Sequence, residues 1–172
     1  MSAARLPARW RAAGLGAVAV SLLGGAEGGC RADREVPVQV VRAGAQCGGE
    51  GEGISARVIH SAEELRAAFP ALLGVEPGQE TAEPDLAREL VLLVSAGRRP
   101  TAGHAVELAR PTAPVKGNVA AVQVRLRAPA PEAMTAQVVT SPCLVVKLLR
   151  EGITEVKVAD EQKKVVASVA VR

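Results

Sequence analysis

Aromatic residues are almost missing from this chain, which holds no Tyr, one Trp (Trp10) and one Phe (Phe69) among 172 residues. Its hydrophobic share of 48% is made mostly of Ala, Val and Leu, so any core must be aliphatic. Single-stranded nucleic acid is held largely by stacking on rings, and sugars are commonly held in the same way, so both ligand classes are disfavoured. A strong charge of one sign is missing too. The formal net charge is +3, and Arg5, Arg9, Arg11 and Glu27 stand in a segment expected to be removed. Losing three positive charges and one negative leaves a mature chain near +1, which carries no basic footprint for nucleic acid.

Chemistry-bearing residues are sparse as well. The two histidines, His60 and His104, are far apart, with no paired Cys or His spacing and no acidic calcium loop nearby. No metal site and no cofactor are expected on these grounds. The stretch "SAGRRPTAGHAVELAR" invites a phosphate test, but five residues separate Gly97 from Gly103, His104 stands where a P-loop has Lys, and a strand follows. The nucleotide reading fails. Neither a G-x-S-x-G elbow nor a Cys-His signature is present to assemble Ser95, Ser141 or Cys143 with His104 and an aspartate, so no catalytic residue is assigned. The chain is expected not to be an enzyme.

What is present begins with an export pattern. Arg5, Arg9 and Arg11 precede the apolar, glycine-rich run Ala12 to Ala26, too short to span a bilayer comfortably but suited to a secretory signal. Residues 1–29 therefore read as a signal peptide. Gly28, Gly29 and Cys30 resemble the end of a lipoprotein lipobox, in which the cysteine becomes the lipidated first residue, although Glu27 stands where that motif has an apolar residue. Lipidation at Cys30 and ordinary cleavage near Ala26 both remain open at this point, and a retained anchor is a third outcome. With Cys30 set aside, Cys47 and Cys143 form a candidate disulfide of the kind exported proteins carry, against the alternative of Cys143 as a buried thiol.

One domain suits this length. Residues 30–53 read as a tether or edge segment, with "VPVQVV" as their strand-like piece, and 54–172 as a β-rich domain. "SAEELRAAF" predicts a short helix with Ser61 as N-cap and Glu64 completing a capping box, limited by Pro70 and Gly74. "ELVLLVSAG" predicts a strand buried on both faces. "HAVELAR" places Val106 and Leu108 on one face, and "VAAVQVRLR" places Val122, Val124 and Leu126 inward. Ala128 to Ala136 reads as a Pro/Ala-rich connection, Pro142 as an edge, bulge or break, and Asp160 to Lys163 as a hairpin loop. Strands at regular spacing after one early helix predict an α+β fold, predominantly antiparallel and sandwich-like.

"LVLLVSAGRRPTAGHAVEL" and "TAQVVTSPCLVVKL" together resemble the PrcB C-terminal domain family, named for a subunit of an exported bacterial protease complex. The counterparts of its Gly, Pro-Thr-x-Gly and Thr-Ser-Pro elements are Gly97, Pro100, Thr101, Gly103, Thr140, Ser141 and Pro142. His104 replaces a usual Tyr and Cys143 an aromatic. The resemblance extends roughly from Leu90 to Val171. It implies a non-catalytic protein-binding module of the cell envelope, exported and often lipid-anchored, whose partner could be an exported protease. Membrane contact would come through a lipid on Cys30. The Gly97 to His104 loop, including Arg98 and Arg99, and the Thr140 to Pro142 turn are then candidate contact or framework elements. A rival reading comes from the Pro-Thr-x-Gly loop alone, which resembles a loop of chagasin-type protease inhibitors.

Overall fold

The computed structural model describes residues 33–47, 51–68 and 83–172. The expected signal segment, Cys30, Phe69, Pro70 and Gly74 lie outside these residues. The elements are β1 (Arg34–Gly44), β2 (Ser55–Ile59), α1 (Ala62–Ala67), β3 (Glu89–Ser95), β4 (Ala105–Leu108), β5 (Thr112–Lys116), β6 (Val119–Arg127), β7 (Cys143–Leu149), β8 (Glu155–Ala159) and β9 (Val165–Ala170).

The helix forms where its cap predicts. Ser61 is extended, at φ −142 and ψ 156, and its hydroxyl accepts the Glu64 N–H at 3.0 Å. The Glu64 carboxylate reaches back to the N–H of His60, at 2.8 Å, rather than to that of Ser61. The capping box thus closes one residue early, and still satisfies two backbone donors.

The strands form one sheet in the order β2-β3-β7-β1-β5-β6-β8-β9, with β4 pairing β6. The expected sandwich is corrected by this continuity. A sandwich needs two separate sheets face to face, whereas here β1 belongs to both halves: Arg34 to Pro37 pair with β5 and Val38 to Gly44 pair with β7, with a register shift between Val40 and Arg42. A shift of that kind bends a strand, so the sheet curls around one interior and brings its ends, β2 and β9, side by side without a ladder between them. The result is mostly β, with one short helix among the described residues, and is a nearly closed barrel. It is also mixed, because β6 and β8 run parallel. Within the 30–53 segment, Arg34–Gly44 therefore lies inside the sheet path, where buried Val36 and Val38 alternate with exposed Glu35, Pro37 and Gln39.

Two apolar clusters meet across β3 and β7. Leu90, Leu92 and Val94 of β3 face the barrel interior with Leu144, Val146 and Leu148 of β7. Their neighbours Val91, Leu93 and Val145 face outward against Cys47, Ile59 and Ala68. This explains the continuous apolar run of β3, as the sequence predicts: both faces are covered, one by the barrel and one by α1 and its flanks. Among the described residues, no aromatic side chain belongs to either cluster. Fully burying each Val or Leu is worth about 1.5–3 kcal/mol. Val122 and Val124 are buried as expected, but Leu126 is 43% exposed, which corrects its inward assignment. The parallel ladder ends at Gln123 and Ala159, so Leu126 projects beyond the part of the barrel that β8 covers.

A charged pair sits beside the outer cluster. Lys147 is a buried residue of β7, with Nζ 3.0 Å from Glu89 Oε1 and 3.1 Å from Oε2, and Glu89 Oε2 also accepts the Asp85 N–H at 2.9 Å. Removing one partner strands the other charge away from water, which is the costly change; removing both is not. We expect Glu89→Ala to lower the unfolding free energy by about 3 kcal/mol and Glu89→Ala with Lys147→Met to restore most of it. Urea titration of the single and double variants measures this, and equal destabilisation by both would show that the pair is not the source.

Candidate functional site

The residues singled out in the sequence converge at one end of the barrel, where β3 and β1 end and β7 begins. After Ser95, the chain turns through Gly97 at φ 73 and, later, Gly103 at φ 88. A Cβ at Gly97 would lie 2.5 Å from the Gly51 carbonyl oxygen and 2.7 Å from that of Gly53. Position 97 thus needs glycine twice over, for the left-handed backbone and for the close approach of the 51–53 backbone. The Arg98 N–H donates to the Gly51 carbonyl at 2.8 Å, joining the two segments.

The loop and the Thr-Ser-Pro turn form one hydrogen-bonded unit. Arg99 and Thr140 exchange both backbone bonds, at 2.8 and 2.9 Å, and the Ala102 N–H donates to the Ala136 carbonyl at 3.0 Å. Each residue of the turn bonds a different segment. The Thr140 hydroxyl donates to the Thr101 carbonyl at 3.1 Å, the Ser141 N–H donates to the Ala45 carbonyl, and the Pro142 carbonyl accepts the Ala96 N–H. Pro142 falls at a break, immediately before β7. The Ser95 hydroxyl accepts the Gly97 N–H at 3.1 Å. Ser95, Thr140 and Ser141 are all buried, so each is held within this frame.

A covalent tie reinforces it. Cys47 and Cys143 form a disulfide with a Cα–Cα distance of 5.9 Å, across a sequence separation of 96. Both residues are buried, and the Cys47 N–H also donates to the Ser141 carbonyl at 3.1 Å. In the chain-entropy account, a bridge closing a loop of this length stabilises by about 4.7 kcal/mol. It fastens the end of β1 to the start of β7 beneath the turn.

What this frame presents outward is cationic and apolar. Arg98 and Pro100 are exposed, while Arg99 is half-buried, its guanidinium donating to the Ala96 carbonyl at 2.8 Å. His104 is half-buried at the loop's end. Beside them runs the connection from Ala128 to Val139, with Met134 fully exposed and Val138 and Val139 about half exposed. Cys30 lies outside the described residues. Sequence reading missed the pairing of the loop with this connection and the part played by residues 51–53; Gly97 was the available signal of a close backbone approach, but a glycine does not name the segment that approaches it. Among the described residues, no three His, Cys, Asp or Glu side chains group to hold a metal ion, and no helix is long and apolar enough to cross a membrane.

We expect Gly97→Ala to destabilise the protein by at least ~2 kcal/mol, combining the left-handed backbone cost with displacement of the 51–53 backbone. Thermal unfolding of this variant beside Arg98→Ala, which removes only an exposed side chain, checks it. Equal midpoints for the two variants would contradict the close approach.

Comparison with known proteins falls on this same region. No curated protein and no solved structure matches the chain. A family model described as PrcB C-terminal matches residues 90–148, which leaves β8 and β9 beyond the match. The stretch from β3 to β7, with the loop and turn that pair at the barrel's end, is therefore similar to the PrcB C-terminal domain.

Proposed function

We propose that this chain is a non-catalytic accessory module of the cell envelope that binds a protein partner through the end of the barrel carrying the Gly97 to His104 loop. The observation that carries this reading is the division of labour there. The hydroxyls of Ser95 and Thr140 bond backbone groups of the frame, whereas Arg98, Pro100, Val138 and Val139 are displayed on its outside. A rigid frame presenting exposed cationic and apolar side chains suits protein recognition, since ordering costs at the interface are then small. Resemblance to a family named for an exported protease complex makes an exported protease the first partner to test. The export pattern of residues 1–29 and the buried disulfide agree with an oxidising compartment outside the cytoplasm.

Affinity capture from the cell envelope with the mature chain should recover a specific protein, and Arg98→Glu should reduce its recovery. The same protein titrated against papain-like and subtilisin-like proteases should leave their activity unchanged. Stoichiometric loss of activity would replace the accessory reading by the inhibitor reading of the Gly97 to His104 loop, and absence of any partner would remove the accessory reading.

The anchor is proposed on sequence grounds. Mass spectrometry of the mature amino terminus should find lipid on Cys30, and an unmodified terminus on either side of Cys30 would remove the anchor and leave the export.

A further inference from the structure

We infer that the Cys47–Cys143 bridge is a redox latch for the loop frame: oxidation by a disulfide-bearing agent fastens residues 45–47 to the Thr140 to Pro142 turn, and the reduced chain keeps its barrel but loses that fastening. An oxidation requirement is thereby placed on the binding surface of the accessory reading, on which this consequence rests. In the sheet, β3 and β7 lie between β1 and β2. The connection from Gly44 to Ser55 must therefore cross the ends of both strands, where its described residues, 45–47 and 51–53, meet the frame. Residues 51–53 meet Gly97. Residues 45–47 meet the turn: the Ser141 N–H donates to the Ala45 carbonyl at 2.9 Å, the Cys47 N–H donates to the Ser141 carbonyl at 3.1 Å, and Gln46 Nε2 donates to the Val139 carbonyl at 2.9 Å. Ser141 adjoins Thr140, whose backbone pairs with Arg99 and whose hydroxyl holds Thr101. The fastened segment is thus one residue removed from the loop.

The two cysteines are held unequally. Cys143 is the first residue of β7, laddered to Ser95 on one side and to Gly44 on the other. Cys47 lies outside the strands, and the sheet-like contact of its segment is the isolated bridge between Gln46 and Ser141. Ordering three residues costs backbone entropy of the same order as a few net hydrogen bonds return. Two thiols cannot share the space of a bonded sulfur pair, so reduction crowds the outer cluster in which both cysteines are buried. Cys47, the less fixed partner, gives way and takes the Ser141 bonds with it. The barrel-interior cluster contains neither cysteine, so its packing does not depend on the bridge.

Setting the latch consumes one oxidant. The Cys47 and Cys143 thiols lose two electrons and two protons as the S–S bond forms between them; the S–S bond of the agent breaks, and it departs as two thiols. Cys47 and Cys143 are 4% and 1% exposed, so a reducing thiolate reaches the bridge only when residues 45–47 open. Once set in an oxidising compartment, the latch stays set.

Amide hydrogen exchange tests the latch on three forms of the mature chain: oxidised with glutathione disulfide, refolded in dithiothreitol, and carrying Cys47→Ala, which cannot form the bridge. In both bridge-free forms the amides at position 47 and Ser141, and with them Arg99 and Thr140, should exchange about tenfold faster than in the oxidised chain, on the order of one lost backbone bond in local opening. The amides of the β6–β8 ladder should keep their rates. Unchanged frame amides in either bridge-free form, or equal acceleration in the β6–β8 ladder, would overturn the inference. So would reduction of the native bridge by dithiothreitol as fast as that of the urea-unfolded chain. If a captured envelope partner binds the oxidised chain and Cys47→Ala equally while their frame amides differ, the latch stands and the loop end is not the binding surface. If the frame amides differ and no envelope partner exists, the accessory reading falls and the latch remains.

Discussion

The antiparallel ladder of β3 and β7, running from Glu89 opposite Leu149 to Ser95 opposite Cys143, buries side chains on both its faces and positions everything else. One face supplies the barrel interior, and the other supplies the floor on which Cys47, Ile59 and Ala68 settle. Because the ladder ends at Ser95 and Cys143, the chain leaving β3 and the chain entering β7 emerge side by side. The loop after β3 and the turn before β7 are then close enough to exchange backbone bonds, and the disulfide at Cys143 is drawn to the same place.

Scarcity of rings shapes the architecture. With Val, Leu, Ile and Ala making up the interior among the described residues, it is closed by many β-branched and short aliphatic contacts rather than by a few large plates. A curled sheet supplies them, because every strand contributes alternate residues to a single cluster. The bend in β1 and the parallel step from β6 to β8 let the sheet curl almost to closure. Closure leaves few free edges.

The Pro-Thr-x-Gly and Thr-Ser-Pro elements that resemble the PrcB C-terminal family acquire a common physical meaning here. They are two halves of one hydrogen-bonded frame, with Gly97 permitting the approach of residues 51–53, Thr140 bonding Thr101, and Pro142 accepting from Ala96. Recognition, in the function proposed for this chain, belongs to the side chains displayed around that frame.

By itself the sequence determined the local elements: the helix capped by Ser61, the doubly buried strand at Glu89–Ser95, the alternation of β6, and the glycine-dependent turn at Gly97. Each of these depends on periodicity or backbone freedom within a few residues, which a linear reading can see. Only the tertiary structure decided that the sheet curls into a barrel instead of splitting into a sandwich, that Arg34–Gly44 runs within it, that Leu126 overshoots the core, and that residues 136–140 lie along the loop. Those outcomes depend on which strands meet at long range and in what register. A period of two is the same for a strand in a sandwich or a barrel, and alternation does not name the partner.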